Sequence, residues 1–258
     1  MPVQFKHQDG VHIDVDGGAR IYCEVTGNLD KPPLLLLHGG FGNIEDFNAL
    51  LPAWGHDFKL IRIDSRGHGA STLGSQGLSY QLLEQDAVRV MAYLDIHSAH
   101  ILGFSDGGIA ACRMAASGAV DIPKLVVAGT SLRLTQASRA IFAKVTPDSW
   151  KQKFPQTFEA YQRLNPEPDF DRMACAAIQM WQDPGPSGHP DQGNRQIRAP
   201  MLIVRGDDDH LTSLESAVEL KSMVEGAHFM NIPFAGHVVY EDQKDAFLTG
   251  LNQFFRHA

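Results

Sequence analysis

The chain has 258 residues, 43% hydrophobic and 20% charged, with a net charge of −8 at pH 7. That length suits one α/β domain, alone or with an insertion, and buries a sizeable core. The acidic balance, without any run of Lys and Arg, argues against a nucleic-acid surface, and no apolar stretch approaches membrane-spanning length.

The start, Met1-Pro2-Val3-Gln4-Phe5-Lys6, lacks the apolar core of a secretory signal. Val11 to Val15 and Ile21 to Val25 alternate apolar and polar residues around Asp16-Gly17-Gly18, which predicts an antiparallel hairpin at a sheet edge. Leu34 to Leu37, Leu60 to Ile63, Ala99 to Leu102, Leu125 to Ala128 and Met201 to Val204 are short apolar runs. A last strand is expected near Phe229 to Ile232. Near-continuous apolar strands separated by helical stretches predict a mostly parallel, twisted sheet of about eight strands with helices on both faces. The helical stretches include Tyr80 to Leu94, Ile109 to Ala116 and a closing helix over Asp245 to Phe255. Cys23, Cys112 and Cys175 are odd in number and far apart. They read as buried thiols in a reducing compartment, so a cytoplasmic location is expected.

Residues 131–198 break the alternation, with helical patterns and no convincing strand. Thr146-Pro147-Asp148 is a helix start, Pro155 divides one helix from the next, and Met173 to Trp181 forms a third. Residues 183–194 form a Pro- and Gly-rich loop. The expected organisation is a core of residues 1–130 and 199–258 with a helical cap insertion at 131–198. The aromatic stripe Trp150, Phe154, Phe158 and Tyr161 packs that insertion onto the core, and Trp150 and Trp181 are candidates to line a pocket beneath it.

Ligand sites of open parallel sheets form outside the carboxyl ends of the strands, so the residues after each strand carry the functional signal. Gly103-Phe104-Ser105-Asp106-Gly107 lies where a strand meets a helix. A bare G-x-S-x-G occurs by chance in a chain of this length about one time in ten. The context is more specific: Ser105 sits at the apex of a sharp turn whose flanking glycines let neighbouring backbone pass. Arg205-Gly206-Asp207-Asp208-Asp209 follows a later strand, and Ala235-Gly236-His237 follows the last. A serine, a carboxylate and a histidine thus occupy strand ends in chain order.

With His38-Gly39-Gly40 and the Asp64-x-Arg66-Gly67-x-Gly69-x-Ser71 segment, these motifs resemble the α/β-hydrolase fold superfamily over essentially the whole chain. The Gly-Phe-Ser-Asp-Gly-Gly turn resembles the branch of valacyclovir-hydrolase-like esterases, mainly through Asp106 and Gly108. The resemblance implies a serine hydrolase that needs no cofactor or metal. Ser105 is its nucleophile, His237 its base, and Asp209 its acid with Asp208 as fallback. Backbone N–H groups of Asp106 and of Gly40, or less favourably Phe41, form the oxyanion hole. It assigns loop-holding roles to His38 and His68.

A serine hydroxyl is a poor nucleophile without a base, histidine titrates near working pH, and a carboxylate fixes the imidazole tautomer. Asp106 has two readings. One is a helix-start carboxylate worth about 0.3–1 kcal/mol. The other is a charge beside the cleft that favours a cationic ester. Phe41 and Asp106 are therefore further pocket candidates. The expected reaction is cleavage of a small to medium carboxylic ester or related activated acyl compound. The alternatives are haloperoxidase-like perhydrolysis, C–C bond hydrolysis with the same three residues, or a non-catalytic ligand-binding member of the fold. The expected partner is a small acyl substrate, with no nucleic acid or membrane, in a monomer or homodimer.

Overall fold

The computed structural model describes residues 4–256. Its eight strands are β1 (Val11–Val15), β2 (Ala19–Gly27), β3 (Pro33–Leu37), β4 (Lys59–Ile63), β5 (His100–Phe104), β6 (Leu125–Ala128), β7 (Met201–Gly206) and β8 (His228–Ile232). They form one sheet in the order β1-β2-β4-β3-β5-β6-β7-β8. The hairpin β1–β2 is antiparallel and joins β4 antiparallel; every later pairing is parallel.

The helices are α1 (Tyr80–Tyr93), α2 (Asp106–Ser117), α3 (Gln136–Phe142), α4 (Pro147–Lys153), α5 (Pro155–Leu164), α6 (Phe170–Trp181), α7 (Leu214–Met223), α8 (Val239–Asp242) and α9 (Lys244–Arg256). The period-2 geometry of a strand sends alternate side chains to opposite faces. Leu35, Leu37, Ile101, Val127 and Ile203 accordingly pack against α1, α2 and α7. Leu34, Leu36, Leu102, Val126 and Val204 pack with Trp54 and with Phe247, Leu251 and Phe254 of α9. Helices therefore cover both faces.

Between β6 and β7 the chain forms α3 to α6 and a short 3-10 helix, Asp191–Gln196. Thr146 caps α4, with Pro147 in its first turn, and α5 begins at Pro155. The segment seats Tyr161, Phe170, Met173, Met180 and Trp181 against Phe41, Leu73, Tyr80 and Ile109. Of the aromatic stripe, Tyr161 is buried and Phe154 is exposed. The cysteine expectation needs one correction. Cys23 and Cys112 are buried, but Cys175 is exposed, because it sits on the face of α6 opposite the contacts made by Met173 and Ala177. No helix among the described residues is long and apolar enough to cross a membrane.

Candidate active site

Ser105 connects β5 to α2 with φ 50° and ψ −117°, outside the favourable regions for a residue with a side chain. Strain of this kind costs about 1–3 kcal/mol and persists only where the surroundings impose it. They do so here. A Cβ on Gly103 would overlap the backbone of Gly107, and one on Gly107 would overlap the carbonyls of Leu37 and His38. Serine at a helix start ordinarily caps a backbone N–H. Ser105 makes no such bond, and its Oγ instead lies 3.1 Å from His237 Nε2.

His237 Nδ1 lies 3.0 and 3.1 Å from the two carboxylate oxygens of Asp209. Asp209 is buried, and its Oδ1 also accepts the N–H groups of Leu211 and Thr212 at 2.8 and 3.0 Å. Burial alone would raise its pKa; the His237 bond, the charge of that imidazole and the two N–H donors outweigh it and hold the carboxyl below its ordinary value. Its neighbours point elsewhere. Asp207 is exposed and accepts from Asn231 Nδ2 at 2.8 Å, and Asp208 is exposed. The N–H groups of Asp207 and Asp208 donate to the Ile232 and Ala235 carbonyls, which ties this turn to the loop carrying His237.

The loop after β3 lies beside the serine: a Cβ on Gly39 would stand 3.2 Å from Ser105 Cβ. Among the described residues, the N–H groups of Gly40, Phe41 and Asp106 donate to no other protein group. Phe41 has φ 59°, so the loop is turned sharply. Its ring is fixed by Trp150, Trp181 and Phe170, with centroids 4.2, 5.2 and 5.6 Å away.

His38 is buried, donates from Nδ1 to the Gly39 carbonyl at 2.7 Å and accepts the Ser65 N–H on Nε2 at 2.9 Å. Burial, helped by the neighbouring His68, pushes its pKa down to about 3, so the ring is neutral and acts as a backbone tie. His68 is also buried, with Nδ1 on the Arg66 carbonyl at 2.9 Å. Asp64 accepts the N–H groups of Ile44 and Ala70, both at 2.7 Å, which links the loop after β4 to the loop after β3.

Asp106 turns inward. Its Oδ1 accepts from Tyr80 Oη at 2.8 Å and its Oδ2 from Trp181 Nε1 at 2.7 Å. Burial raises its pKa, and these two donors only partly oppose that. Sequence reasoning singled out Trp181 but missed Tyr80, whose place at the start of α1 carries no mark of a polar role. Trp150 is half-buried, and its Nε1 is without a partner among the described residues. No three His, Cys, Asp or Glu side chains among the described residues come together in a way that could hold a metal ion.

The model of the alpha/beta hydrolase family matches residues 34–249, so the chain belongs to that family. The human protein named "Serine hydrolase BPHL" is 27% identical, over 89% of this chain and 81% of its own length. Among solved structures, a hydrolase from Pseudomonas aeruginosa superimposes with a TM-score of 0.79 at 21% identity, covering 98% of this chain and all of the other. The enol-lactonase from Burkholderia xenovorans gives 0.76 at 20%, covering 96% and 100%. At those identities the structures speak for the fold alone. The chain is thus an alpha/beta hydrolase, with serine hydrolases among its relatives.

Proposed function

We propose that the chain cleaves a small to medium carboxylic ester through an acyl-enzyme on Ser105. The observation that carries this reading is the continuous relay from Ser105 Oγ through His237 to buried Asp209, at 3.1 and 3.0 Å. Ser105 Oγ attacks the acyl carbon as His237 Nε2 takes its proton, which then passes to the leaving alcohol. Water attacks the acyl-enzyme with His237 again as base, releasing the acid and restoring the serine. Asp209, accepting from Nδ1–H, holds the tautomer in which Nε2 can accept and stabilises the imidazolium.

The free N–H groups of Asp106 and Gly40 would receive the oxyanion, with Phe41 as the less favoured second donor; one such donor is commonly worth about 3–4 kcal/mol. Residues 131–198 act as a cap over the acyl or alcohol pocket, with Trp150, Trp181 and Phe41 in its wall. Kinship with a protein named a serine hydrolase supports the same chemistry.

The test is incubation with a fluorophosphonate, followed by intact mass and a panel of p-nitrophenyl esters of rising chain length. One adduct on Ser105, absent in Ser105→Ala, together with ester turnover, is the expected result. A wild-type protein that takes no adduct and turns over no ester would be a ligand-binding member of the fold.

A further inference from the structure

The two oxygens of Asp106 are each committed to a different element. Tyr80 comes from the first turn of α1, on the core, 26 residues earlier in the chain. Trp181 is the last residue of α6, 75 residues later. A third element closes on the same carboxylate. A Cβ on Gly40 would stand 2.7 Å from Asp106 Oδ2 and 2.8 Å from Trp181 Cζ2, so the backbone beside one candidate oxyanion donor lies directly against the Asp106–Trp181 bond. Asp106 also follows Ser105 in the chain, so its own N–H and its carboxylate share one rigid turn.

We propose that Asp106 is a positioning residue. Its carboxylate pins the α3–α6 segment and the Gly40 loop to the nucleophile turn, and the site so formed takes an ester that is neutral near the elbow. This rests on the hydrolase reading above. Among the described residues, the side-chain bonds to Asp106 come from Tyr80 and Trp181 and none from Lys or Arg, and only 7% of the residue is exposed. Each oxygen already accepts a fixed donor, and the Gly40 backbone crowds Oδ2, so a buried carboxylate offers a substrate ammonium little access. A fixed pair of donors on one buried carboxylate is strong in a dry site, because leaving either donor unpaired costs its full desolvation.

The clamp and a charge selector differ in what Asp106→Asn does. The new side-chain amide would keep an oxygen for Trp181 Nε1, and its N–H can face Tyr80 Oη, which can also accept. The charge is lost and the clamp largely kept. Asp106→Ala removes both acceptors.

The experiment measures kcat and KM on p-nitrophenyl propionate and p-nitrophenyl alaninate, which differ by one ammonium at pH 6.5. The variants are Asp106→Asn, Asp106→Ala, Trp181→Phe and the Asp106→Ala/Trp181→Phe double. The clamp predicts that Asp106→Asn stays within about threefold of wild type on both esters. Asp106→Ala and Trp181→Phe each lower kcat about tenfold or more on both, with KM within about twofold, because a displaced oxyanion loop is felt mainly in the transition state. The double variant falls no more than about twofold below the worse single, as expected for two ends of one contact.

A selective loss on the alaninate in Asp106→Asn overturns the proposal in favour of a charge selector. Losses that multiply in the double variant overturn it as well. Should Asp106→Ala fail to fold, Trp181→Phe, which keeps a ring in the aromatic cluster, decides alone: wild-type kcat there overturns the clamp. Fluorophosphonate labelling separates the two layers. An unlabelled wild type refutes the hydrolase reading and the clamp with it. A labelled wild type with an equal labelling rate in Trp181→Phe refutes the clamp alone.

Discussion

Two buried carboxylates flank Ser105, and their partners make them opposites. Asp209 faces an imidazole and two backbone N–H groups, and its pKa falls below the ordinary value. Asp106 faces a phenol and an indole, both neutral, and its pKa rises. Both are desolvated, so burial does not separate them. A titratable partner that can carry positive charge and exchange protons makes the first a candidate for chemistry. Two neutral donors on separate elements make the second a fastener.

That contrast can be broken at several strengths. The largest effect is expected at Asp209. Asp209→Asn should lower kcat by about 10⁴, the scale of a triad left in the wrong tautomer, with ester turnover as readout. Asp207→Asn and Asp208→Asn should stay within about twofold of wild type, since neither side chain reaches His237. Equal losses at Asp208 and Asp209 would break the assignment.

Next comes Tyr80→Phe, which strips one donor from the Asp106 carboxylate and leaves the Asp209 side untouched. It should cost about 1.5–3 kcal/mol of stability, the range for a hydrogen bond to a charged group, read by urea unfolding. A wild-type midpoint would mean that water replaces the phenol without loss.

The smallest effects are in pH dependence, and there the two carboxylates should move in opposite senses. Asp209 has a folded pKa below its unfolded value near 3.8. Its stabilisation is present above that pH and is lost as pH falls toward the folded value. Asp106 has a folded pKa above 3.8, so its ionisation destabilises the fold progressively as pH rises past that point. In urea unfolding from pH 3 to 7, the deficit of Asp209→Asn relative to wild type should grow with pH. For Asp106→Asn the wild type should lose ground with rising pH. A common background lies beneath both. Burial holds His38 neutral in the fold down to about pH 3, so every variant that retains it should lose stability from this group as pH falls below about 6.5. Parallel profiles for the two carboxylate variants would erase the contrast.

Much of this molecule is legible in its residue order. The eight strands, the antiparallel hairpin and the strandless stretch of residues 131–198 follow from local patterns. Alternation, apolar runs and proline punctuation act over a few residues, and packing did not override them. The turn at Ser105 is legible for the same reason: its two glycines sit within two residues of the apex. The helices α3 and α7 are less visible. The Leu214–Met223 stretch leaves Leu214 and Val218 exposed and so carries a weak amphipathic stripe.

By itself, then, the sequence determined which residue types stand after which strand: Ser105, an aspartate cluster and His237, in the order a hydrolase needs. The family resemblance pointed to Asp209 with Asp208 as fallback, and the tertiary structure shows why Asp209 is the one beside the imidazole. Asn231 holds Asp207 away, while the Leu211 and Thr212 amides draw Asp209 inward. Only the tertiary structure decided that Asp106 grips Tyr80 and Trp181, and that Cys175 faces outward. The physical reason is range. Backbone turns and hydrophobic periods are set by neighbours in the chain, whereas a buried carboxylate takes its charge state and its task from donors that packing delivers from far along it.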